Sequence, residues 1–102
     1  MKAMIKLEDL KDGYLYEIDA RNASLGIWES KRGTFFISRI KFGDNFLFDE
    51  IHIDCSPDFG TATPLKEIEK SPFDVKDDLY KRESEVLEYL NKFRDDHERK
   101  RS

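Results

Sequence analysis

The feature that most constrains this chain is a break in composition at Ser71-Pro72. All five glycines and nine of the thirteen aromatic residues lie before it, and residues 73–102 contain neither glycine nor proline. Glycine-punctuated, aromatic-rich sequence forms short strands and turns. A stretch free of both helix breakers, with apolar residues at helical spacing, forms a helix. The chain has 102 residues, enough for about one domain. It therefore reads as a small strand-built unit over residues 1–70, followed by a C-terminal amphipathic helix over 71–102. The helix either packs on that unit or extends to a partner.

The strands are read from alternation. Asp12-Gly13 is a turn pair, after which Tyr14, Tyr16 and Ile18 point one way and Leu15, Glu17 and Asp19 the other. Residues 25–29 form a second strand with Ile27 opposed to Gly26 and Trp28, and residues 30–33 form a hairpin loop. Residues 34–42 form a third strand, with Phe36, Ser38, Ile40 and Phe42 on one face and Phe35, Ile37, Arg39 and Lys41 on the other. A hairpin at Gly43-Asp44-Asn45 leads to a fourth strand over 46–54. There the apolar face changes sides midway: Phe46 and Phe48 are followed on the same face by Glu50, His52 and Asp54. Such a change predicts a sharp bend, often with a bulge. Residues 61–63 supply a short closing strand, and Thr63-Pro64 caps a helical turn through Glu67-Ile68.

Ser71 as N-cap, Pro72 at the first helical position and Asp74 predict a helix starting there. Val75, Leu79, Val86, Leu90 and Phe93 form one stripe, widened by Leu87, with Arg82 the exception. A helix of about 24 residues is about 36 Å long. That exceeds a barrel of such a small unit, so part of it projects. The fold class is thus mainly β with a C-terminal helix (α+β). It is expected as a small SH3-like five-stranded antiparallel barrel, or a strongly bent sheet, plus one long amphipathic helix.

Charge narrows the function classes. Charged residues make up 39% and aromatic residues 13%, with a net charge of −4. The aromatic content is too high for disorder, and the balance gives no bulk attraction to nucleic acid. The single cysteine, Cys55, cannot form an internal disulfide. Together with the lack of an apolar run of signal-peptide or membrane-spanning length, it favours a reducing compartment, and a cytoplasmic location is expected. The glycines are dispersed among turns and form no phosphate-cradling loop, so no nucleotide cofactor is expected.

Four constellations carry chemistry. Glu50, His52 and Asp54 share a strand face and could act as acid, base or metal ligands. Same-face positions are about 6.6–6.8 Å apart on a strand, so an exposed polar half-strand is the preferred reading. Cys55 points away from His52 on the same geometry. Asp58 with Asp74-Val75-Lys76 spells a nuclease-like carboxylate pattern, but at a helix start rather than on a strand. Residues 31–41 interleave Lys31, Arg32, Arg39 and Lys41 with aromatics, as single-strand binders do. Core phenylalanines with a charged outer edge are the simpler account. Finally, the distal helix stripe of Val86, Tyr89, Leu90 and Phe93 reads as core, or as a dimer or partner face.

The leading expectation is a non-enzymatic protein-binding or regulatory module, in size and style an accessory protein of a bacterium or phage. It would bind another protein or a second copy of itself, without cofactor, metal or membrane. Trp28, Arg32, Arg39, Lys41, Val86, Tyr89, Leu90 and Phe93 are the candidate binding residues. The alternatives are single-stranded nucleic-acid binding by the 31–41 hairpin, and a small metal-dependent hydrolase or nuclease using Glu50, His52, Asp54 and Asp58.

Overall fold

In the computed structural model, described over residues 5–20, 23–40, 46–53 and 61–101, five strands form a ring with one C-terminal helix packed on its outer face. The strands are β1 (Tyr14–Ala20), β2 (Ala23–Glu29), β3 (Thr34–Ile40), β4 (Phe46–Ile53) and β5 (Thr61–Lys70). They lie in the order β1-β2-β3-β4-β5, with β5 returning to β1. The helix α1 spans Glu83–Arg101, and a 3₁₀ turn over Leu79–Arg82 leads into it.

The expected class is observed: mainly β with a C-terminal helix. The expected all-antiparallel pairing is corrected. β5 runs antiparallel to β1 but parallel to β4, through His52↔Thr61 and Ile53↔Ala62. The reason is parity. Strand directions alternating around a ring of five cannot return to the start in alternation, so one neighbouring pair must be parallel. A parallel pair cannot be joined by a tight hairpin. The parallel contact is also the shortest of the ring.

Alternation on β2 and β3 sets the packing. Leu25, Ile27 and Phe36 face outward, with Leu15 and Phe48 beside them; Trp28, Phe35 and Ile37 face inward, with Tyr16, Ile18 and Ala62. Both sets are buried. The inner set fills the ring, where the Trp28 and Phe35 ring centroids lie 5.0 Å apart and Tyr16 meets Phe35 edge-on at 6.1 Å. The outer set is covered by Phe73, Leu79, Val86 and Leu90. Ser38 adds a polar tie, donating its hydroxyl to Asn91 Oδ1 at 2.6 Å.

This two-sided burial explains the apolar change along β4. Phe48 lies under the helix on the outer face, while Ile51 and Ile53 pack inward. The β3–β4 register runs unbroken from Thr34↔His52 to Ile40↔Phe46, so the expected bulge in β4 is absent. The irregularities lie elsewhere: against β1, β5 carries an extra residue between Glu67 and Glu69 and another between Pro64 and Lys66, and β1 carries one between Glu17 and Ala20 against β2.

Two segments expected to be helical are not. Residues 63–68 belong to β5, where Pro64 sits opposite Ile18 beside an irregularity that tolerates its missing N–H. Its carbonyl accepts from Ile5 N at 3.1 Å, drawing the N-terminal segment along the strand. The exposed run of Lys66, Glu67, Glu69 and Lys70 shows no apolar alternation, and so concealed a strand whose outer portion is solvated. Likewise Ser71 does not open the helix. Its N–H donates to Gly13 O at 2.9 Å, and Phe73 is buried in the outer core, so residues 71–78 are tied irregularly to the sheet. Asp78 then caps the 3₁₀ turn by accepting from Tyr80 N at 3.1 Å. The helix is accordingly 19 residues, about 28 Å. Its packing on the core runs from Val86 to Phe93. No helix among the described residues is long and apolar enough to cross a membrane.

Gly26 permits the tight curvature of β2. A Cβ there would lie 2.8 Å from Phe35 Cβ and 3.3 Å from both Ile18 Cδ1 and Ile37 Cγ2. Gly26→Ala is expected to lower stability by about 1–3 kcal/mol, measured by urea unfolding. A variant as stable as the wild type would show that the strands have room there. Leu90, 1% exposed, should cost about 2–5 kcal/mol as Leu90→Ala and prevent folding as Leu90→Asp.

Candidate functional site

The groove that concentrates unusual chemistry lies where the β2–β3 hairpin faces residues 75–79. It encloses about 700 Å³ and is lined on the sheet side by Glu29, Arg32 and Phe36, and on the other by Val75, Lys76 and Asp77. Local sequence builds it. Gly33 adopts φ +67 in the hairpin turn. Asp12 fixes that turn from outside, accepting from Ser30 N at 2.6 Å and Ser30 Oγ at 2.8 Å. Arg32 is thereby held above the outer face of the sheet.

Arg32 is the hub. Its Nη1 donates to Glu50 Oε2 at 3.1 Å, and its Nε lies 3.4 Å from Glu29 Oε2. The guanidinium also lies 5.6 Å from the Tyr80 ring centroid and 6.0 Å from that of Phe36, within cation–π range. Tyr80 meets Phe48 and Phe36 edge-on at 5.2 and 5.9 Å. Partial burial, reinforced by the Glu50 carboxylate, pushes the Tyr80 phenol up to about 12.

The sequence candidates sort clearly on this geometry. Arg32 and Glu50, assigned above to separate constellations, form one ion pair. Pairing ties up the Glu50 carboxylate that the hydrolase alternative needs. His52 is exposed opposite Thr34. Asp54, Cys55 and Asp58 lie outside the described residues, as does Lys41. Asp74 serves a local turn, accepting from Lys76 N at 2.9 Å. Among the described residues, no group of three His, Cys, Asp or Glu side chains could hold a metal.

Other candidates are placed elsewhere. Trp28 faces the ring interior, 2% exposed, rather than the outer hairpin face. Phe35 and Phe36 are buried, so neither offers a face on which a base could stack. Arg39 is ion-paired with Asp49 at 3.3 Å. Val86 and Leu90 are buried against the chain's own sheet, with Tyr89 and Phe93 packed beside them. The stripe therefore presents no unpartnered apolar face. Tyr89 instead donates its hydroxyl to Glu69 at 3.0 Å, and burial followed by that carboxylate raises its pKa.

Sequence reasoning missed Glu29, Tyr80 and the 71–79 wall. Glu29 ends the second strand and, though charged, is 5% exposed. The available signal was its position beside a hairpin Arg at i+3.

Comparison of the chain with protein-family models, with curated proteins and with solved structures finds no match.

The tyrosines generate a pH prediction. Burial also raises Tyr16, so three phenols have folded-state pKa values above the ordinary value of about 10. Their stabilising contribution is whole below about pH 10. It is lost as pH rises towards about 12, because the unfolded chain ionises first. Stability should therefore fall steeply over that alkaline window, and Tyr80→Phe should flatten part of the slope. Equal slopes for the two proteins in alkaline urea titrations would contradict the burial assigned to Tyr80.

Proposed function

We propose that this chain is a non-enzymatic protein-binding or regulatory module that presents the groove between the β2–β3 hairpin and residues 75–79 to another protein. The observation that carries this reading is the composition of the groove. A wide recess is walled by charges of both signs around Phe36, Val75 and Leu79, with the half-exposed Tyr80 at its margin. Arg and Tyr around an apolar floor are enriched at protein interfaces. The paired state of Arg32 and Glu50 weakens an acid–base reading, because each neutralises the other. The helix stripe, the other surface suggested by the sequence, supplies the protein's own core. Self-association through it is therefore not favoured.

Affinity recovery from a lysate of the source organism, read by mass spectrometry, tests the reading. The wild type should recover a protein that Lys76→Glu and Asp77→Lys lose by at least about tenfold. Glu88→Lys, on the exposed helix face, should retain it. Identical recovery by all four proteins would move the interface elsewhere, and no specific protein recovered by any of them would end the reading.

A further inference from the structure

Glu29 is out of keeping with the rest of the groove. Its carboxylate sits in the outer face at the end of β2, 5% exposed, yet it lines the recess. Among the described residues it accepts no hydrogen bond. Its sole ion pair there is the 3.4 Å approach of Arg32 Nε, while the shorter Arg32 bond, at 3.1 Å, goes to Glu50. A buried carboxylate normally accepts several hydrogen bonds, because burying it without them is costly. Directly across the β2–β3 ladder, on the same face, Thr34 is fully buried and its Oγ1 has no hydrogen-bond partner either. A nearly buried carboxylate paired with one guanidinium and a buried hydroxyl without a hydrogen-bond partner therefore stand side by side at an open recess.

The chemistry that complements this pair is N–H donors carried on a positive charge. One Arg32 guanidinium faces two carboxylates, Glu29 and Glu50, and Asp77 and Asp78 line the same recess. Lys31 and Lys76 also line it, but neither forms an ion pair among the described residues. The recess walls beside Glu29 are Phe36, Val75 and Leu79. Such walls suit a long side chain with an apolar stem and a flat cationic head. A guanidinium fork can give a carboxylate two parallel hydrogen bonds; an ammonium is a compact, strongly hydrated charge.

We propose that the groove seats an arginine side chain of a partner protein, its guanidinium bound by the buried Glu29 carboxylate while Arg32 keeps its bond to Glu50. This inference rests on the protein-binding reading above and names the chemistry that the partner must carry.

The test uses the full chain and three probes: N-acetyl-arginine N-methylamide, its lysine counterpart, and its citrulline counterpart, which keeps the shape but lacks the charge. Amide chemical shifts are followed at low salt. The arginine probe should give saturable shifts at Glu29, Thr34 and residues 75–79. The lysine and citrulline probes should bind at least about tenfold more weakly. Glu29→Gln, checked for native Trp28 fluorescence, should weaken the arginine probe by a similar factor. Absence of saturable shifts in the wild type, or equal affinity for all three probes, overturns the inference without requiring any variant to fold. If partner recovery still depends on Lys76 and Asp77 in that case, the protein-binding reading survives and only the arginine is lost. If the arginine probe binds selectively while no protein is recovered, the guanidinium site stands and the partner reading fails.

Discussion

The structure depends on one constraint: the β2–β3 pair carries large apolar side chains on both faces. Trp28 and Phe35 project inward, and Ile27 and Phe36 outward. A two-stranded ribbon of this kind cannot be stable in water, because covering either face leaves the other wet. Curling the sheet into a ring covers the inner set, and docking α1 covers the outer set. Gly26 makes the curl possible, since β3 side chains occupy the space a Cβ would need. The helix and ring are therefore two halves of one solution, and Phe36 lies at their junction.

That junction also creates the groove. The chain leaving β5 must cross from the sheet to the helix, and its passage is fixed by Ser71 N on Gly13 O and by Phe73 in the core. Residues 75–79 are thereby suspended opposite the β2–β3 hairpin. The outer face just beyond the helix is left to Glu29, Arg32, Glu50 and Tyr80. Polar groups gather there because the apolar cover ends there. A carboxylate buried at such a margin costs stability unless it is paired, and Glu29 has Arg32 beside it at 3.4 Å.

Much of the fold was legible in the sequence. The break at Ser71-Pro72 separated strands from helix. The Asp12-Gly13 turn, the opposed faces of β1 and β3, and the stripe through Val86 and Leu90 all follow from short-range periodicity. What misled was local chemistry with two meanings. Thr63-Pro64 and Ser71-Pro72 are good helix starts, yet each lies where hydrogen bonds to distant backbone prevail, at Ile18 and Gly13. The candidate site was legible only in fragments. Arg32 and Glu50 stood out separately, and Glu29 and Tyr80 did not, because pairing across strands and across the 71–79 crossing is invisible to periodicity.

The sequence by itself determined the types of β1 to β4 and of the C-terminal helix, the opposed faces of those strands and the apolar stripe of the helix, since these depend on neighbours two to four residues apart. Tertiary structure alone decided three things. Ring closure forced β4 and β5 into parallel pairing, because five directions cannot alternate around a ring. Docking turned the helix stripe from a prospective partner surface into core, because the outer face of β2–β3 had no other cover. The crossing of residues 75–79 opposite the β2–β3 hairpin set Glu29 beside Arg32 in one recess, because segments far apart in the sequence meet there.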